Sequence, residues 1–125
     1  MAKNTLTMSE RIGDVGIIRF ETSQVLDGMN VQQLGEELLE VVDKHYIVKV
    51  VINFEKVKYL SSAVLGKLIA LNKRILKEKG RLALCCLNKD IEQVFHITRL
   101  DKVIPIFDTE EEALQRIESH GWPKK

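Results

Sequence analysis

Apolar and polar positions recur along the chain with two periods, and strand-like alternation comes first. "SERI" and "VGIIRFE" flank Gly13-Asp14, a pair suited to a tight turn, which predicts a β-hairpin. From about Asn30 the period becomes that of a helix. Val31, Leu34, Leu38, Val41 and Val42 share one face, with Glu36, Glu37, Glu40 and Asp43 on the other. Asn30 with Gln33 three residues later has the form of a capping box. "IVKVVINF" (Ile47–Phe54) is β-branched and nearly continuous in apolar character, as in a strand covered on both faces. After Ser61-Ser62 the helical period returns, with Val64, Leu65, Leu68, Leu71, Ile75 and Leu76 as its buried stripe and Gly80 as its stop. "RLALCCL" reads as a further buried strand. A short helix from Asp90 to about Thr98 turns Ile91, Val94 and Phe95 inward. "KVIPIF" makes a last strand, where Pro105 removes a ladder donor and favours a sheet edge. Asp108 or Thr109 caps a final helix whose first turn, Glu110–Glu112, suits the positive end of the helix dipole.

The order is therefore ββαβαβαβα. Alternating strands and helices with short connections imply an α/β fold: one domain with a mixed, mostly parallel central sheet and right-handed crossovers. The domain is expected over residues 8–118, with residues 1–7 and 119–125 as loosely held termini.

Composition adds mainly exclusions. The 125 residues suffice for one core, and the 19 basic and 18 acidic residues nearly balance. Bulk charge thus gives no reason to expect direct nucleic-acid binding. There is no apolar run of membrane-spanning length and no secretory h-region near the N-terminus, so the cytoplasm is the expected compartment. The two cysteines, Cys85 and Cys86, are neighbours in a strand. They should point to opposite faces and act as small buried hydrophobes.

Recognisable enzyme chemistry is missing. The sequence has no Gly-rich phosphate loop, no HExxH and no GxSxG. His45, His96 and His120 are scattered without metal-ligand spacing, so no cofactor and no metal is expected. Lys67, Lys73, Arg74, Lys77, Lys79 and Arg81 make one side of the second helix basic, as a solvated face or as a docking surface for an acidic partner. A serine nucleophile would need a base, and no histidine stands at a recognisable position near the pair.

Ser61 and Ser62 stand between a buried strand and the second helix, at the sheet edge where α/β folds usually carry their sites. A serine there can cap the helix. It can also carry a phosphate, which the backbone N–H groups of a helix N-terminus accommodate.

The layout and the stretch "INFEKVKYLSSAVLGKLIAL" resemble the STAS domain of bacterial anti-sigma factor antagonists, in which D-S-[ST]-G-L-G leads into the second helix. The resemblance continues through "GRLALCCLNKDIEQVFHITRLDKVIPIFDTEEEAL" and covers about residues 8–118. It implies a non-enzymatic regulatory domain that sequesters a partner serine kinase doubling as an anti-sigma factor. By the same resemblance a phosphatase reverses the modification, and only the unmodified form binds. Aligned on this motif, Ser62 is the phosphorylation candidate, ahead of Ser61, and Asp27 matches an acidic residue beside the phosphosite. Ala63, Val64, Leu65 and Gly66 would line the start of the interacting helix, beside Lys67. The motif's aspartate is Leu60 here and its first glycine is Ala63. The loss of that carboxylate keeps a second reading open: a STAS scaffold or ligand-binding subunit, of a signalling assembly or a lipid-transport complex, without a phosphoswitch. A monomer or weak homodimer is expected in either case.

Overall fold

The computed structural model describes residues 6–21, 28–58 and 60–122. In chain order the elements are β1 (Thr7–Ile12), β2 (Val15–Phe20), α1 (Gly28–Asp43), β3 (Lys49–Asn53), α2 (Ser62–Lys77), β4 (Arg81–Cys85), α3 (Lys89–Ile97), β5 (Ile106–Phe107) and α4 (Glu110–Ile117). The expected order holds. Of "KVIPIF", Lys102 closes a 3-10 turn (Leu100–Lys102) and residues 103–105 join no strand, so β5 keeps two residues at the sheet edge beyond Pro105.

The five strands lie side by side in chain order, β1 antiparallel to β2 and the rest parallel. Gly13-Asp14 forms the two-residue turn between Ile12 and Val15, with Gly13 at φ +62°. Because every crossover steps the same way and is right-handed, α1, α2 and α3 all fall on one face. Alternation along the strands then sorts the core. Ile18, Phe20, Val50, Ile52, Leu82 and Leu84 meet those three helices. Val15, Ile17, Val51, Ala83, Cys85 and Phe107 meet Ala113 and Ile117 of α4 on the opposite face.

A row of register partners, Arg19, Asn53 and Cys85, crosses the α4 face. Glu110, at the N-terminus of α4, joins the first two. It accepts both forks of the Arg19 guanidinium at 3.1 and 2.7 Å and the Asn53 amide at 2.8 Å. Burial works to raise the Glu110 carboxyl, but these bonds outweigh it and hold its pKa below the ordinary carboxylate value.

Several local expectations are corrected. α1 begins at Gly28, so Asn30 lies inside the first turn, and the Gln33 amide donates to Glu37 at 2.8 Å instead of closing a capping box. Glu37 is no solvated residue: its carboxylate accepts Leu6 N, Thr7 N and Thr7 Oγ1 at 2.7 to 3.1 Å. Leu6 and Thr7 therefore belong to the fold, as do Ser119 and Trp122 at the other end. The Ser119 carbonyl accepts from Arg81 at 3.0 Å, and Trp122 packs against Phe107 and Arg81. Leu76 and Val94 lie at the margins of their helical stripes and are exposed, 54% and 39%. Cys86 takes a left-handed conformation (φ +64°), which breaks strand alternation and packs it against the same apolar cluster as Cys85. Burial pushes the Cys85 thiol well up, and the neighbouring Cys86 adds to the shift.

Candidate functional site

The chain leaves β3 in a tight turn. Asn53 Oδ1 accepts Glu55 N at 2.8 Å, Phe54 N bonds the Cys85 carbonyl at 3.0 Å, and Val57 N returns to the Phe54 carbonyl at 2.9 Å. Phe54 is fully buried, between Phe20 (ring centroids 5.2 Å) and Phe95 (6.4 Å). Val57 is buried and Leu60 packs on the same core, so the loop is pinned from below by apolar contacts before it reaches the serines.

Ser61 occupies the N-cap position of α2, in extended conformation (φ −85°, ψ 162°). Its hydroxyl makes no capping bond. Oγ is buried and has no hydrogen-bond partner among the described residues, while the carbonyl accepts Val64 N at 3.1 Å. Ser62 is the first helical residue and is exposed, with Ala63 beside it. No acidic residue stands in this first turn. The partial positive charge of the helix N-terminus is therefore not offset by a carboxylate on its own helix.

The other site expectations separate. Gly66, one turn on, is exposed, and a Cβ there would meet nothing within 4 Å. Val64 is fully buried and Leu65 is 9% exposed, so both brace the helix from inside and neither offers a surface to a docked protein. Counted along D-S-[ST]-G-L-G without a gap, the last glycine falls on Leu65, and Gly66 lies one place beyond. Lys67 lies over α1: a Cβ on Gly35 would come within 2.8 Å of its Cδ, so that glycine makes room for the lysine stem. Asp27 lies outside the described residues.

Asn88 was missed by the sequence reading, which started α3 at Asp90. It caps that helix, Oδ1 accepting Ile91 N at 2.8 Å, and its amide donates to the carbonyls of Val57 and Lys58 at 3.3 and 3.0 Å. Asn shortly before an apolar-periodic run is a cap signature. Nothing in the sequence pointed to the bonds thirty residues back.

A cleft of about 200 Å³ opens beside the same sheet edge, lined by Met8, Arg19, Phe20, Glu21, Asn53, Glu55 and Lys56 and by neither serine. Among the described residues no group of three or more His, Cys, Asp and Glu is placed to hold a metal ion, and no helix is long and apolar enough to cross a membrane.

Comparison with known proteins agrees with this geometry. The STAS domain family model matches residues 7–113. The Anti-sigma F factor antagonist of Paenibacillus polymyxa is 23% identical over 103 residues, covering 82% of this chain and 88% of that one. BtrV of Bordetella bronchiseptica, designated a candidate anti-sigma factor antagonist, is 32% identical over 89 residues, 71% of this chain and 76% of that one. The Bacillus cell fate determinant SpoIIAA, solved in its phosphorylated form, shares the fold with a TM-score of 0.68 at 21% identity, covering 89% of this chain and 98% of that one. The chain belongs to the STAS domain family.

Proposed function

We propose that the protein is a cytoplasmic anti-sigma factor antagonist: a regulatory binding domain that captures a serine kinase acting as an anti-sigma factor, with phosphorylation of Ser62 as its off-switch. A phosphatase would restore the binding form. The observation that carries this is an exposed hydroxyl at the first position of α2, in a chain whose relatives are named for that activity. A phosphate on Ser62 would add roughly −1.5 to −2 charges at a helix N-terminus that favours them. The helix would stay folded, and the surface offered to the kinase would gain negative charge.

The test is incubation with ATP and the serine kinase recovered with this protein from native extract, followed by mass spectrometry and a binding assay. Phosphate on Ser62, none in Ser62→Ala, and at least tenfold weaker binding by Ser62→Asp are expected. Phosphate confined to Ser61, or no modification, would overturn the switch. Leu60 favours the second reading, a STAS scaffold without a phosphoswitch: an apolar residue seated on the core stands where a carboxylate would flank the hydroxyl. Under that reading a partner is recovered whose binding ignores both Ser62 variants.

A further inference from the structure

We propose that Asn88 is a positioning residue for the serine turn, holding the loop between β3 and α2 against the N-terminus of α3 so that Ser62 is presented in one place. The proposal deepens the phosphoswitch reading and rests on it for its functional consequence. Its structural part stands on the free protein alone.

A cap needs only an acceptor, and Ser, Thr or Asp supplies one as well as Asn does. Asn88 spends its Oδ1 on that task, at 2.8 Å from Ile91 N. Its Nδ2 is directed elsewhere, to the carbonyls of Val57 and Lys58, four and three positions before Ser61. Among the residues that cap helices well, only Asn combines an acceptor with a two-hydrogen donor on one short side chain. The choice of residue thus exceeds what α3 requires.

The serine turn needs such a tether because its own side chains do not supply one. The Ser61 hydroxyl makes no cap bond and has no partner among the described residues, and Ser62 points to solvent. Leu60 and Val57 give the loop apolar seats, which set its depth and do not fix its direction. Hydrogen bonds are directional, and the pair from Asn88 fixes the backbone just upstream of the serines. A loop fixed before docking loses less conformational freedom when a kinase closes on it.

Two variants separate the tether from the cap. Asn88→Ser keeps a capping hydroxyl but is too short to reach the loop, whereas Asn88→Ala loses both. Residue-resolved hydrogen exchange on the purified protein should show amides between Val57 and Ser62 exchanging about tenfold faster in both variants. The Ile91 amide should accelerate only in Asn88→Ala. With the kinase of the preceding assay, Asn88→Ser should raise the KM for Ser62 modification several-fold and leave kcat near wild type. Unchanged loop exchange in Asn88→Ser would reduce Asn88 to a cap and overturn the proposal, as would a loosened loop with an unaltered KM. If Ser62 is modified in no version of the protein, the phosphoswitch reading falls, and the exchange comparison still decides whether Asn88 positions the turn.

Discussion

A carboxylate at residue 60 would have to occupy, or leave, the seat that Leu60 fills on the core. Leu60→Asp should therefore cost about 2 kcal/mol of stability, from lost apolar contact and the desolvation of a charge. Urea denaturation checks this, and a variant as stable as wild type would show that the seat contributes little. The pair beside it shows what single residues reveal in sequence. That a hydroxyl stands at a helix start was legible from Ser61-Ser62 and the periodic run behind them. That the Ser61 hydroxyl is buried and forgoes its cap bond was not, because N-cap preference describes an average over many helices. Val64 had two readings, buried by its helical period and on the docking surface by its place in the motif, and it follows the period into the core.

Among the elements, the helix stops carry a testable contrast. α1, α2 and α3 are each followed by a non-glycine residue in the left-handed region: Tyr46, Lys79 and Arg99, at φ +58°, +61° and +63°. Gly80 was expected to fill that role after α2, but its purpose is clearance. A Cβ there would collide with the Val48 carbonyl oxygen and approach Ile75 Cγ2 to 2.9 Å. Neighbouring substitutions should thus act in opposite directions. Lys79→Gly should stabilise by about 1 kcal/mol through relief of the left-handed backbone, and Gly80→Ala should destabilise by about 3 kcal/mol through overpacking. Thermal unfolding of the two variants measures both. Periodicity and turn residues had located the helices and strands, because amphipathic faces are written locally, but not the 3-10 turn at Leu100–Lys102. Periodicity placed Leu76 and Val94 in the core because they border the apolar stripe, and the burial of a border position depends on how far the neighbouring element reaches.

For the molecule as a whole, two carboxylates fasten parts that the sequence leaves far apart. Glu37 holds the start of β1 to α1, and Glu110 holds α4 to β2 and β3. Burial works to raise the Glu37 carboxyl, but bonds from Thr7, Leu6 and Gln33 hold it below the ordinary value of 4.5, and Glu110 is likewise lowered. Groups depressed in the folded state add stability that is complete above their unfolded pKa and lost as pH falls through the folded values. The urea midpoint should accordingly drop from neutral pH to about pH 3. In Glu37→Gln/Glu110→Gln the midpoint should be lower at neutral pH and fall less steeply on acidification, and an unchanged slope would assign acid sensitivity to other groups. The fold class and sheet type followed from alternation and chain order. These clasps did not, since each joins charged and polar residues that read locally as solvated faces.

The arrangement of strands in chain order bears on how the protein is made. Each strand from β2 onward pairs with the one synthesised just before it, so the sheet can grow by addition at one edge as the chain leaves the ribosome. The last helix reaches much further back along the chain than its neighbours do. Glu110 contacts Arg19 across 91 residues of sequence. Docking of α4 would thus be a late event, onto the bare second face of a sheet whose serine-bearing side is already assembled.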